Sequence, residues 1–442
     1  MSLPIAIIGA GPVGLAAAAH LAERGESFVV IEAGERAGAS VLRWGHVQMF
    51  TPWRYCFDQA AYRLLQSAGW QAPMDDEFPT GAELVERYLM PLASLPALAP
   101  HIHYRRKVVA VNRLGHDRQR GLDRKGIPFQ LTLVDDTGEE TSLLARAVID
   151  ASGTYRSPNP LGAGGVPALG ERNAAAHIFY GIPDVSGRDR ARYANRRVLV
   201  AGSGHSAFNT LLDLVRLGEV APQTAVWWVI RREAAQFERI FGGGEADALA
   251  ARGQLGMQVR NLVDSGRVKV VTGWQTAQVA MTDTGLVVSD GTRTLPPVDE
   301  IVVCTGFRPD LAPLRELRLA LDPVVEAPTA LAPLIDPNLH SCGTVRPHGV
   351  DELSHPEPDF YIIGMKSYGR APTFLLPTGY EQARSVTAAL CGDWEAARRV
   401  ELELPATGVC SGPTGTETGC CSTIPALFST TIPLNVTNRS CC

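Results

Sequence analysis

The chain has 442 residues, 45% of them apolar and 20% charged, with a formal net charge of −5. That is an ordinary globular balance with room for two or three domains, and it gives no reason to expect a nucleic-acid or membrane partner. No apolar run reaches the roughly 18 residues of a membrane span, and the first strand starts too early for a signal peptide, so a cytoplasmic protein with reduced thiols is expected.

The chain opens on an apolar run, Ile5–Ile8, followed by the turn Gly9-Ala-Gly11-Pro12-Val-Gly14 and a predicted helix over about Pro12–Arg24. Strand, glycine turn and helix in this order form a dinucleotide cradle. The glycines permit a tight turn and close backbone approach, and the helix N-terminus faces the pyrophosphate. The next strand, Phe28–Glu32, ends in an acid placed to accept hydrogen bonds from a ribose hydroxyl pair. An acid there repels a 2′-phosphate, so this site reads as one for FAD or NAD. Residues 40–80 read as irregular and aromatic, and Thr80-Gly-Ala-Glu83 then reads as a capping box for a helix toward Leu92. Strands at Lys107–Val111 and Phe129–Val134 flank a polar loop, His116–Gly126, expected to be an exposed hairpin tip. Ala147–Asp150 is a short buried strand running into Ala151-Ser152-Gly153-Thr154.

A Pro/Gly-rich linker, Ser157–Gly170, leads to a second apolar run, Val198–Ala201, and a second turn, Gly202-Ser-Gly204-His205-Ser206-Ala207. The strand after it, Ala225–Ile230, ends in Arg231-Arg232. Two guanidinium groups suit a phosphate on the adenosine ribose, although a solvated surface pair has the same appearance. The resulting expectation is FAD at the first turn and NADPH at the second. Beyond Glu300–Thr305-Gly306, residues 306–359 are rich in loops and proline; Phe360–Gly364 is a last strand and Thr378–Leu390 a helix. The expected fold is α/β, with two Rossmann-like dinucleotide-binding domains: an FAD domain (1–165 and 306–404) split by an inserted NADPH domain (190–305). A flexible Cys-rich tail (405–442) follows.

Together these pieces resemble the two-dinucleotide-binding flavoproteins of the flavin-containing and N-hydroxylating monooxygenase branch, over about residues 3–400. The likeness rests on the two turns, Asp150–Gly153, Cys304-Thr305-Gly306, and Trp44–Pro52 followed by Phe78-Pro-Thr80. It implies that Trp44 and Thr51 lie near the flavin ring, and that Ala151, Ser152 and Gly153 pack beside the FAD pyrophosphate. It also implies Val109 backbone at the adenine, Gly364 at the ribitol chain, and Thr305 and Gly306 on the nicotinamide path; packing and turn geometry are the plain alternatives. The branch often carries Phe-x-Gly-x-x-x-His before the second turn. Here the stretch is Phe179-Tyr-Gly181-Ile-Pro-Asp-Val185, without the histidine, which puts oxygen activation in question.

Disulfide reductases of this architecture need a close cysteine pair, and Cys56, Cys304, Cys342 and Cys391 form none. The remaining five of the nine cysteines crowd the tail: Cys410, Cys420, Cys421, Cys441 and Cys442. Soft thiolates there suit zinc, copper(I), mercuric ion or a trivalent arsenical, unless the extension is unselected. Mercuric reductases also end in such a pair, and the whole sequence resembles flavoproteins encoded with arsenic-resistance genes. His340, Cys342, His348 and His355 form a second cluster that could line a pocket or hold metal, with surface histidines as the default. The leading functional reading is an NADPH-dependent FAD oxidoreductase, monooxygenase-like, acting on a small soft nucleophile (nitrogen, sulfur or trivalent arsenic). The alternatives are a flavin-dependent reductase of a metal or metalloid held by the tail, and a cofactor-bound sensor without turnover. No general acid or base is assigned, and the sequence sets no oligomeric state.

Overall fold

Short apolar runs bounded by glycine become buried parallel strands. The structure is a computed structural model describing residues 3–121, 123–241, 250–336 and 345–402. The chain first lays down β1 (Ile5–Ile8), β2 (Phe28–Ile31), β3 (Ile102–His103), β4 (Arg106–Arg113), β5 (Phe129–Asp135), β6 (Glu140–Ala145) and β7 (Ala147–Asp150). It continues with β8 (Ile178–Tyr180), β9 (Arg197–Ala201), β10 (Ala225–Val229), β11 (Lys269–Val271), β12 (Gln278–Thr282), β13 (Gly285–Ser289) and β14 (Glu300–Val303). Last comes β15 (Phe360–Ile362).

Two five-stranded parallel sheets result, ordered β15-β7-β1-β2-β3 and β11-β10-β9-β14-β8. An antiparallel β4-β5-β6 sheet and a β12-β13 hairpin accompany them. β15 follows the second sheet in the chain yet pairs with β7, and β8 joins the second sheet through β14.

Alternate residues of each strand serve different cores, because a strand points successive side chains to opposite faces. In the first sheet Ile5, Ile7, Val30 and Ile149 pack with the helix Pro12–Glu23, whereas Ala6, Ile8, Ile31 and Val148 pack with β4 and β5. In the second, Val198, Val200 and Trp228 face the helix His205–Val220, and Leu199, Val229 and Ile301 face the hairpin side. Both faces are covered, as parallel sheets require.

Two loops depart from expectation. The capping box at Thr80 and Glu83 is present, but the helix it starts passes through a wide turn at Val85–Leu89 before Met90–Ala93. Pro91 is the cause: it has no N–H to give the Arg87 carbonyl four residues back. That carbonyl instead accepts the Trp70 indole N–H at 2.9 Å. The loop 116–126 is not simply an exposed tip, since Arg124 is buried. Its Nε and that of Arg113 both donate to Glu357 Oε1, at 3.2 and 2.7 Å, and this ion cluster pulls the loop onto the body.

Candidate functional site: two dinucleotide turns and the cleft between strands β1, β2 and β7

The first turn does what its glycines require. Gly9 has φ +103°, and a Cβ there would come within 2.8 Å of the Ala151 carbonyl; one on Gly14 would meet the Gly9 carbonyl. Above Gly11 the space is open, with nothing within 4 Å of an added Cβ. Pro12 is the first residue of the helix, where its missing N–H costs nothing. Glu32, at the end of β2, accepts the Ala10 N–H at 2.8 Å and the Gly34 N–H at 2.6 Å, and it lines a cleft with Gly9, Ser152, Gly153 and Val108. Val109 is the extra residue of a β-bulge: Val108, which lines the cleft, pairs with Leu133 and Ala110 with Thr132, leaving Val109 out of the ladder. Gly364, at φ +70°, lies against Val13, and its N–H donates to Gln382 Oε1 at 2.7 Å.

The second turn repeats the design. Gly202 has φ +126°, with no room for a Cβ against the Cys304 carbonyl, and Gly204 is open. The Trp228 indole donates to the Gly202 carbonyl at 2.6 Å and so braces the turn from the neighbouring strand. His205, Ser206 and Ala207 form the first turn of the helix. Arg231 and Arg232 follow β10 and are exposed, with Arg231 Nη1 donating to the Ala163 carbonyl at 3.5 Å. Thr305 and Gly306 sit where the chain leaves β14: Thr305 Oγ1 donates to the Asn159 carbonyl at 3.1 Å, and the Asn159 N–H donates to Gly306.

The segment Trp44–Thr51 runs beside Phe78–Thr80, with Gln48 bridged to Thr80. Trp44 lies on Gly81, where a Cβ would be 2.8 Å from its ring. Phe50 of the same segment reaches the second turn, its ring centroid 5.2 Å from that of His205. Trp44 and Thr51 do not line the cleft described above. The monooxygenase-type histidine position is held by Val185, fully buried in the second domain's core, and Gly181 packs under the Tyr155 hydroxyl.

Among the described residues the thiols are single. Burial pushes both Cys56 and Cys304 up to about 12, and Cys391 is also raised by burial. Of the histidine cluster, His348 and His355 are described: the first is buried and the second half-buried. His348 is buried against Gln382, and His355 packs near Phe360. Burial lowers both imidazoles below their usual value, His355 to about 4. His340, Cys342, Cys410, Cys420, Cys421, Cys441 and Cys442 lie outside the described residues, and no group of metal-ligating side chains forms among those described. No described helix is long and apolar enough to cross a membrane.

A paired set of glycine turns on two parallel sheets defines an α/β flavoprotein oxidoreductase with two dinucleotide-binding domains. The sequence pattern of the pyridine nucleotide-disulphide oxidoreductase family matches residues 6–328, and the chain belongs to that family. It is similar to a ferredoxin–NADP reductase of Salinispora tropica, 26% identical over 321 residues (72% of this chain, 78% of the relative). Among solved structures it resembles the Bacillus cereus bacillithiol disulfide reductase Bdr, with TM-score 0.62 and 17% identity over 89% of this chain and 99% of that one. A variant flavin monooxygenase from Stenotrophomonas maltophilia gives TM-score 0.54 and 22% identity over 88% and 99%.

The cofactors are FAD and NADP(H). The residues fit them: open space over Gly11 and Gly204 leaves backbone accessible to a phosphate chain, Glu32 can address a ribose, and the Val109 bulge offers unpaired backbone. Missing from the sequence-based reading were the bulge, the Phe50–His205 contact and a buried pair, Asp150 and Lys366. A charged residue inside an otherwise apolar strand (Ala147-Val-Ile-Asp150) was the available signal for the last.

Proposed function

We propose that this flavoprotein is an NADPH-dependent enzyme of monooxygenase type, with FAD at the Gly9 turn and NADPH at the Gly202 turn. The single observation that carries the reading is the state of its described thiols. Cys56 and Cys304 are unpaired, buried and held protonated, so among the described residues no dithiol stands by to take electrons. On this reading electrons leave directly to an acceptor that diffuses in. With oxygen as that acceptor, NADPH, a proton, oxygen and a soft nucleophile give NADP⁺, water and the oxygenated product. Nitrogen, sulfur and trivalent arsenic centres are the candidate nucleophiles. The isoalloxazine supplies the two-electron chemistry when bound. The chain's own part is to hold the dinucleotides on the two turns, to select the 2′-phosphate through Arg231 and Arg232, and to keep the Cys56 and Cys304 thiols out of reach.

A second reading is a reductase, serving either an electron carrier, which the likeness to ferredoxin–NADP reductases supports, or a metalloid held by the tail cysteines, which only their soft thiols suggest. Oxygen uptake measured beside NADPH oxidation separates the two. Uptake stimulated by a thioether, an amine or a trivalent arsenical, with little peroxide released, supports the monooxygenase. NADPH oxidation that needs a carrier or arsenical but proceeds anaerobically overturns it in favour of the reductase.

A further inference from the structure

Asp150 and Lys366 form an ion pair that neither turn motif accounts for. Lys366 Nζ lies 2.7 Å from Asp150 Oδ2, with the two side chains 3% and 2% exposed. A second donor of the ammonium goes to Ser152 Oγ at 3.1 Å, and Ser152 in turn donates its hydroxyl and backbone N–H to Asp150 Oδ1 at 2.6 and 3.0 Å. Burying two charges is costly, and an apolar pair in their place would serve packing at least as well. The strand positions before Asp150 are apolar, and its neighbours in register are Ile8 on β1 and Ile362 on β15. Fold stability alone therefore gives no reason for a carboxylate and an ammonium here.

Position supplies one. Lys366 stands in the short helical turn Gly364–Tyr368 that follows β15, and the Asp150 strand abuts the first glycine turn. Asp150, Ser152, Lys366 and Gly9 all line the same cleft. Ser152 Cα would be 3.1 Å from a Cβ on Gly9, so the ammonium is separated from the glycine turn by one side chain. An ammonium has three donors. Asp150 and Ser152 take two, and among the described residues the third has no acceptor.

We infer that Lys366 is a cofactor-anchoring residue: Asp150 and Ser152 aim its ammonium so that the free donor meets an oxygen of the FAD phosphate chain at the Gly9 turn. Asp150 is then a positioning residue, keeping a strongly hydrated, flexible cation fixed at the cleft wall. Ser152 completes the aim, which gives the Ala151-Ser152-Gly153 turn a task beyond backbone shape. The inference rests on the first turn being the FAD site.

The test is FAD binding to apoprotein, read by flavin fluorescence quenching at several salt concentrations. Because K366M alone leaves a buried carboxylate uncompensated and can fail to fold, the decisive variant is D150V/K366M, which removes both charges. Its apoprotein should melt near the wild type and bind NADP⁺ as the wild type does. Its Kd for FAD should rise about tenfold or more, the size of a charge-assisted hydrogen bond, with a shallower salt dependence. D150N, which keeps the cation but loosens it, should fall between. Unchanged FAD affinity and salt slope in a folded D150V/K366M protein would overturn the inference and leave the pair a packing feature. Wild-type protein that fails to bind FAD at all would instead overturn the site assignment on which the inference stands.

Discussion

Phe50 and His205 join the two dinucleotide domains: their rings meet edge-on, 5.2 Å apart at 65°, at the first residue of the helix behind the second glycine turn. Two turns along that helix, Asp213 is pushed up by burial, while Arg216 and then His46, from the same segment as Phe50, favour its charged form. The segment 44–52 is thus laid along the helix behind the second glycine turn. Replacing Phe50 with alanine should raise KM for NADPH about two- to tenfold, the worth of one aromatic pair. FAD affinity should stay within twofold of wild type. Steady-state kinetics beside FAD titration checks this, and an unchanged KM would show that the contact is incidental.

Arg231 and Arg232 should carry the choice of nicotinamide coenzyme. In the double alanine variant kcat/KM for NADPH should fall at least about tenfold, as expected for loss of a charge-assisted contact to phosphate. Activity with NADH, which has no 2′-phosphate, should change little. Equal losses with both coenzymes would remove the role assigned to these arginines.

The buried thiols should be dispensable. The C56A/C304A variant should retain NADPH oxidation within about threefold of wild type, since both groups are held protonated and neither has a partner thiol among the described residues. Loss of flavin reoxidation with normal flavin reduction, followed by stopped-flow absorbance, would return a thiol relay to consideration.

Acid should destabilise the fold through its buried imidazoles. Burial lowers His355 from 6.5 to about 4 and lowers His348 as well, so the unfolded chain binds protons more readily than the folded one. Their contribution is complete above pH 6.5 and is lost as pH falls toward 4. For His355 the change is at most about 3 kcal/mol. His348 adds a consequence for the cofactor site. Its Nδ1 faces the Arg346 carbonyl and so carries the proton, leaving Nε2 to accept from Gln382, which also holds the Gly364 N–H. Protonating Nε2 sets two donors against each other. Melting temperature against pH should therefore drop more steeply below pH 6.5 in wild type than in H355F, and FAD retention should weaken over the same range. Parallel melting curves for both proteins would contradict this.

Glu357 holds Arg113 and Arg124 in the core, with the Arg113 guanidinium 3.6 Å from the Phe129 ring centroid. Changing Glu357 to glutamine leaves two buried cations short of a counter-charge and should cost about 3–5 kcal/mol. Urea unfolding of the variant measures it.

The sequence by itself determined the two α/β nucleotide frames. Tight turns at Gly9 and Gly202 and continuous apolar strands such as Ile5–Ile8 are local signals, set by backbone freedom and by burial on both faces. It also determined the Thr80 capping box, since a cap is closed by residues three apart. What only tertiary structure decided were the meetings between residues far apart in the chain. Lys366 finds Asp150 across the β7–β15 pairing, Arg124 is drawn inward by Glu357, and His348 reaches Gly364 through Gln382. Phe50 touches His205 because two domains pack. No periodicity encodes such contacts: each depends on which strands become neighbours, and a buried charge shows its purpose only once its partner is in place.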